Sequence, residues 1–394
     1  MNLPLSNTKE RIISIDIIRG FALIGIFFVN IPSMFMPDFY YHFEYVGIDS
    51  FTRLIYDMLI QTKFYTIFAF LFGVSGFYFM NSIEKKGLSP YKFFSRRLVW
   101  MFIFGVIHIL FLWAGDILHT YALLGFILLL FYKSSVKKIL IWAGCLFLIY
   151  FSLESIAHFA LDKASDESSS NLFTAFKNEN GEVNYYYQFL EQMKERWHFF
   201  LTSIPYELTV FPFEFIPIFL VGMASAKAGI FTDTPTYIKR IKTVQYLVLI
   251  ASVPFFVLMV QEYVHHQITS SYYVFITGKL LATFYVCTIL RLLQKPIWEK
   301  RLSFLAQLGK MAFTNYLTHS VITLAFVSLF IKDTLSIALW MQPFYAVIII
   351  VLQIQLSKYF LSKWKYGPLE YVWRLLTYGK SKSTSTTITR EMKL

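Results

Sequence analysis

"RRLVWMFIFGVIHILFLWAGDIL", residues 96–118, decides how this chain is read. Two arginines open it, ten apolar residues follow, and then comes His108. Seven more residues pass before Asp116 closes the run. On a helix rising ~1.5 Å per residue, His108 lies about 16 Å beyond Arg97, near the middle of a hydrocarbon layer about 30 Å thick. A helix this long and apolar is built to cross a membrane. The ionisable ring in its middle then needs an explanation.

The rest of the chain agrees with a membrane setting. Of 394 residues, 56% are hydrophobic and 15% charged, with 43 Phe and 26 Tyr, too little charge to cover a soluble protein of this size. Apolar runs of spanning length recur. The expected architecture is an all-α integral membrane protein, one polytopic domain over 1–394 with its core at 11–378. Ten helices are expected at about 12–30, 54–81, 93–113, 117–132, 137–158, 206–226, 243–262, 272–291, 303–330 and 337–358.

A net charge of +12 invites a nucleic-acid reading, but its distribution excludes one. Alternate connections carry the bases: Lys85 to Arg97, then Lys133 to Lys138, Lys227 to Lys242, Arg291 to Arg301, and a tail from Lys358. The connections between them hold acids, among them Asp38, Glu44, Asp49 and Asp116. This bias places both termini in the cytoplasm and offers anionic lipid a basic face. Residues 159–205 form the one large outer loop: "DKASDESSSN" reads as a solvated stretch and "YYYQFLEQMKERWHFFL" as an interfacial aromatic helix. Residues 379–394 read as a flexible basic tail. The first apolar run is too long for a cleavable signal and is expected to be a retained anchor. Cys145 and Cys287 lie within expected spans and say nothing of redox compartment. No internal repeat is visible, which gives an inverted-repeat transporter no support.

A polar group inside a span costs roughly 2.5–3.5 kcal/mol on insertion scales, so each one is a candidate. In helix one, Asp16 and Arg19 share a face and can pair, Gly20 and Gly25 allow close helix approach, and Asn30 ends the span. Lys63 lies deep in helix two, either snorkelling outward or facing an inner cavity with Asp116 as its partner acid. His108 is expected to face a polar space, with Asp116, His119 and Tyr121 forming a polar mouth above it. Asp116 is two turns from His108, too far for a direct bond on one helix, whereas His119 is three residues from it. In "GKMAFTNYLTHS", 309–320, Asn315 and His319 share one face, with helix-to-helix hydrogen bonding as the plainer reading. No HxxxH or HExxH spacing occurs, and "VHHQ", 264–267, is not expected to bind metal.

Taken together, "DIIRGFALIGIFFVN" from Asp16, "KFYTIFAFLFG", the opening stretch, "GKMAFTNYLTHS" and the closing "GPLEYVWRLLTY", 367–378, resemble in order the blocks of the YeiB-like family of bacterial membrane proteins. The resemblance runs from about residue 11 to 378, with His319 where that family would be expected to carry Gln. The family has no assigned activity, and it resembles a wider superfamily of transmembrane acyltransferases. That superfamily includes the enzyme acetylating heparan glucosamine and the acyltransferases of bacterial surface glycans. Asn30 stands where the glycan enzymes place a histidine. The heparan branch has a His-x4-Gly in the following loop, a spacing matched here by His42 and Gly47.

The resemblance implies an enzyme of the bacterial cell membrane moving a small acyl group from a cytoplasmic acyl-CoA-like donor to a glycan, lipid or small-molecule acceptor outside. Arg96 and Arg97 would bind the donor's phosphates. His108 would be the general base, with His42 and His119 as the other candidates and Asp116 as an orienting carboxylate. Asp16, Arg19, Asn30, Lys63, Tyr121, Asn315 and His319 would line the substrate path. No bound cofactor is expected, and an oligomer is compatible with the sequence. Two rivals remain open: a small-solute transporter or channel, and a non-catalytic membrane partner protein.

Overall fold

The computed structural model describes residues 12–35, 45–161, 185–266, 271–331 and 337–379. His42 lies outside these residues. The protein is an all-α, multi-pass membrane protein. Among the described residues, eight helices are long and apolar enough to cross a membrane, nine if one bent pair is counted as a span.

α1 (Ile13–Phe35) is the central post. Its apolar window is 72% buried, against 17% for the peripheral spans Val136–Phe159 and Thr234–His265. Exposed Leu148, Leu247 and Ile250 on those outer helices make sense against lipid, where no water must be displaced. Glycine sets the closest contacts. At Gly20 a Cβ would fall on the Leu305 carbonyl, and at Gly25 on the Phe64 ring, so the two helix-one glycines admit a neighbouring helix as expected.

The second expected span is broken into α2 (Ile48–Leu59) and α3 (Lys63–Glu84). Thr62, at the break, has a positive φ of 66°, a conformation costly for a β-branched residue. Its hydroxyl donates to the Val274 carbonyl (2.8 Å), which ties the break to α11 (Ser271–Leu292).

α4 (Pro90–Phe111) starts at Ser89, whose side chain accepts from the Lys92 amide, with Pro90 in the first turn. Residues 112–117 then fold back along α4 instead of leaving it. α5 (Leu118–Gly125) and α6 (Ile127–Phe131) follow, together too short to cross alone. They need not cross alone. His119 lies against Gly105, six residues below the end of α4, and Tyr132 lies against Tyr91 near its start. About 14 residues at ~1.5 Å cover that distance on either helix. The descent therefore returns the chain to the basic end, where Tyr132 and Lys133 bond Glu84 and Lys227 donates to the Tyr132 carbonyl.

α7 (Val136–Ile156) precedes the undescribed residues 162–184. The expected interfacial helix and the start of the next span are one helix, α8 (Tyr185–Thr209), joined to α9 (Phe211–Lys227) through a 61° bend. Pro212 at the start of α9 lacks the N–H that a continuous helix would need. α10 (Thr234–His266), α11, α12 (Pro296–Arg301), α13 (Ser303–Lys310), α14 (Ala312–Phe330), α15 (Gln342–Lys363) and α16 (Pro368–Tyr378) complete the chain.

The expected helix 303–330 is likewise broken, between Lys310 and Ala312. Glu370 of α16 explains the break: its carboxylate accepts from the Phe313 and Thr314 amides (2.8 and 3.0 Å) and from the Thr314 hydroxyl (2.5 Å). An anion there satisfies orphan amides and suits the positive end of the helix. Trp373 donates to the Arg97 carbonyl (3.1 Å), and its ring lies 3.6 Å from the Arg97 guanidinium. The closing motif 367–378 is a clasp on α4 and α14.

The return through α5 and α6 makes a labelling pattern. In a protein with Cys145 and Cys287 replaced by Ser, a membrane-impermeant maleimide should modify Glu191→Cys in intact cells. Lys133→Cys and Lys239→Cys should react only after permeabilisation. Labelling of Lys133→Cys from outside would contradict the return.

Candidate functional site

The fold-back of residues 112–117 brings Asp116 beside the histidine that sequence spacing had kept from it. His108 Nδ1 is 2.9 Å from Asp116 Oδ1, a direct bond where none was expected along one helix. The reason is that α4 ends at Phe111, so 108 and 116 are not on the same helix. Gly105 makes the return feasible: a Cβ there would stand 2.5 Å from the His119 amide nitrogen and 2.8 Å from Asp116 Oδ2.

Asp116 is the hub. Its Oδ2 accepts from the His119 backbone amide and from His119 Nδ1, each at 3.1 Å. Its Oδ1 also accepts from the Tyr316 hydroxyl (3.3 Å). The other nitrogen of His119 faces Glu207 of α8, 3.0 Å from Oε1 and 2.9 Å from Oε2. Ser203 and Thr120 donate to the same carboxylate. Phe200 packs edge-on against the His119 ring, so α8 covers the cluster.

Donor and acceptor rules assign the protons. An ionised carboxylate only accepts. His119 faces carboxylates through both nitrogens, so both must donate and the ring is an imidazolium. In its neutral form His108 donates through Nδ1 to Asp116, which leaves Nε2 with a free lone pair. That nitrogen accepts from the Ser320 hydroxyl of α14 at 2.8 Å. His108 and Ser320 are each only 1% exposed. Asp116, His119 and Glu207 together carry one net negative charge beside His108. Instead of the expected polar space, His108 faces polar side chains.

Other candidates fall elsewhere. Tyr121, expected beside Asp116 and His119, points away: it donates to the Tyr65 carbonyl (2.8 Å) among Phe72, Phe215 and Phe219. Two residues along a helix are about 200° apart, so 119 and 121 cannot share a face. Lys63 is not held by Asp116. Its ammonium donates to the Asp57 carbonyl (2.6 Å) and the Thr277 hydroxyl (3.2 Å), at the C-terminal end of α2 where carbonyls lack helical partners. Asp57 itself is paired with Arg53 at 3.0 Å.

Asp16 and Arg19 pair at 3.0 Å, as expected, and Arg19 also donates to Ser75 (2.9 Å). Asn30 is buried in α1. Arg96 is exposed with its guanidinium beside Gly379, whereas Arg97 lies between Phe79 and Trp373. Asn315 and His319 face α15: Asn315 donates to Ser357 (3.0 Å), and His319 Nε2 is 2.6 Å from Gln353 Oε1. His319 also stacks on Phe27 with ring centres 3.9 Å apart. The structure thus groups His108, Asp116 and His119, and turns Asn315 and His319 to a different face of α14, against α15.

Ser320, Tyr316 and Glu207 were missed. Glu207 had a signal, a lone acid in an aromatic stretch. Ser320 had none, since a serine on a span is ordinary. A second buried polar cluster was also passed over: Lys279 Nζ lies 2.7 Å from Glu214 Oε1, and Tyr65 donates to the same oxygen (2.5 Å). Both "GKLL" and "FEFI" show the lone charge that marks them. Among the described residues, no group of three His, Cys, Asp or Glu is arranged to hold a metal ion.

Comparison with known proteins bears on the whole of this architecture. Residues 225–380 match the family described as Protein of unknown function (DUF418). The uncharacterized protein YxaH of Bacillus subtilis is 30% identical, over 94% of this chain and 95% of the relative. The chain belongs to the YeiB-like DUF418 family of membrane proteins, whose function is unknown. YeiB of Escherichia coli is 33% identical over 30% of each chain. An uncharacterized 39.9 kDa protein from the amylase 3' region of Bacillus acidopullulyticus is 28% identical over 94% of this chain and 95% of its own. In this YeiB-like chain the DUF418 match takes in Ser320 and the closing clasp, while His108 and Asp116 precede it.

Two stability predictions follow from the geometry. Gly105→Ala should lower stability by about 1–3 kcal/mol through overpacking against the fold-back, read as a fall in thermal unfolding temperature with Gly144→Ala, where a Cβ meets open space, as the control. A double-mutant cycle of Lys63→Met and Asp116→Asn should be additive within roughly 0.5 kcal/mol, because the two share no partner. A larger coupling would restore the pair that the structure separates.

Proposed function

We propose that this protein is an acyltransferase of the bacterial cell membrane, moving a small acyl group from a cytoplasmic acyl-CoA-like thioester to a hydroxyl or amine acceptor at the outer face. The observation that carries the reading is His108, buried, held by Asp116 through Nδ1, with its bare Nε2 against a hydroxyl. That is what a general base for an O–H or N–H group requires: a held ring and a free lone pair. His119 and Glu207 hold the carboxylate in place from the other side.

The basic end suits the donor. Lys85, Lys86, Lys92 and Arg96 are exposed there. Arg96 is 12 residues from His108 on α4, about 18 Å at ~1.5 Å per residue. An extended thioester arm anchored by its phosphates at Arg96 covers a distance of that order. Arg97 has a different part: fixed against Trp373, it braces α4 instead of reaching for phosphate. The acceptor would be a glycan, a lipid or a small molecule, and anionic lipid would gather at the same basic end. A second reading, a small-solute transporter, draws on the buried Lys279–Glu214 pair.

Purified protein in liposomes, offered short-chain acyl-CoA with membrane extract as acceptor source, separates the two. Release of free thiol with a matching acylated product supports transfer, and solute flux without thiol release supports transport. His108→Ala should lower transfer by ~10²–10⁴-fold while the protein stays folded. Arg96→Ala should raise KM for the donor in a salt-sensitive way, with kcat little changed. A His108→Asn protein turning over at the normal rate would return this ring to packing.

A further inference from the structure

We propose that Ser320 is a covalent nucleophile that carries the acyl group between donor and acceptor. This rests on the acyl-transfer reading above, and it adds a residue and an intermediate to it. Ser320 Oγ, His108 Nε2, His108 Nδ1 and Asp116 Oδ1 form a line of two bonds, 2.8 and 2.9 Å, drawn from α14, α4 and the 112–117 connection. A hydroxyl activated by an imidazole that a carboxylate orients is the arrangement that makes serine nucleophilic.

Many helical hydroxyls bond their own helix, whereas Ser320, like Thr120 and Thr314, bonds another element, and its partner there is a histidine that a carboxylate holds from the far side. Ser152, Ser155, Thr209, Thr283 and Thr288 each donate to the carbonyl one turn back, as a serine or threonine in a helix ordinarily does. The Ser320 hydroxyl instead reaches across to a ring on another helix, 212 positions away in sequence. His319, its neighbour, is turned to α15 and held by Gln353, so α14 presents Ser320 alone to His108 from this pair. Tyr316, one turn earlier, bonds the same Asp116 oxygen that holds His108, which registers α14 against the pair.

The chemistry balances without any further reactant. Ser320 Oγ attacks the thioester carbonyl carbon as His108 Nε2 takes the hydroxyl proton. The carbon–sulfur bond breaks, His108 returns that proton to the departing thiolate, and an ester remains on Ser320. An acceptor hydroxyl or amine then attacks the ester carbonyl while His108 takes its proton. The carbon–oxygen bond to Ser320 breaks, and the proton passes back to Oγ. Two substrates approaching from opposite faces need never occupy the site together, which a single-step transfer would demand.

The test uses the full-length protein in detergent and a fluorophosphonate bearing an alkyl chain, which phosphonylates activated serines and needs neither donor nor acceptor. The adduct should map to Ser320 by peptide mass spectrometry. Labelling should fall at least ~10²-fold in His108→Asn protein, with an unfolding temperature close to wild type as the folding check. Incubation with acyl-CoA alone should release about one thiol per protein and leave an acyl ester on Ser320. No adduct on Ser320, or acyl transfer by Ser320→Ala at the wild-type rate, would overturn the proposal and leave direct transfer by His108 standing. A Ser320 adduct with no thiol released from any acyl-CoA would instead keep the nucleophile and sink the thioester reading.

Discussion

Everything distinctive in this fold passes through one buried carboxylate. Asp116 would be expensive alone in a membrane interior, and the chain surrounds it with donors: two imidazoles, a backbone amide and a tyrosine hydroxyl. Those donors come from α4, α5 and α14, so satisfying one anion fixes the relative positions of three elements. Removing one partner of such a buried pair typically costs about 3–5 kcal/mol. Gly105 is the complementary constraint, because a side chain there would push the fold-back off α4 and take Asp116 with it.

The same logic governs the other interruptions. Irregular backbone at membrane depth is tolerated only where protein satisfies its polar groups. Lys63 donates to a carbonyl at the end of α2, Glu370 accepts the first amides of α14, and Thr62 bonds across to α11. Each break is served by a residue that would look anomalous on an unbroken span. A charged residue in an apolar run therefore has two explanations here, a site or a helix end. Only contacts tell them apart: the side chains of Lys63 and Glu370 bond backbone groups at helix ends, whereas the His108 ring, in the last turn of α4, bonds the Asp116 and Ser320 side chains.

Much of this was legible in the sequence. Apolar run lengths and alternating basic connections gave the membrane class and most helix positions, because both follow from local composition. The pairing of Asp16 with Arg19 and of His119 with Asp116 was readable from three-residue spacing. What was hidden depends on long-range return of the chain. The His108–Asp116 bond is invisible to helical spacing, since the helix stops between them. Lys63 was matched to an acid, whereas its partners are a helix-end carbonyl and the Thr277 hydroxyl, and the partners Ser320 and Glu207 lie 212 and 88 positions from the histidines they meet. Breaks at 60–62 and near 311 were also unreadable, because Glu370 and Thr277 act on them from distant helices.

The chemistry turns on one proton arrangement: His108 carries its proton on Nδ1, toward Asp116, and offers a bare Nε2 to Ser320. Nitrogen-15 solid-state NMR of imidazole-labelled protein in lipid measures it directly, with His108→Asn protein identifying the resonances. The expected result is a protonated Nδ1 and an unprotonated Nε2 for His108, with the Nδ1 signal moving when Asp116 is changed to Asn. A His108 ring protonated at Nε2 would leave no lone pair for Ser320 and would rule out both the base and the nucleophile.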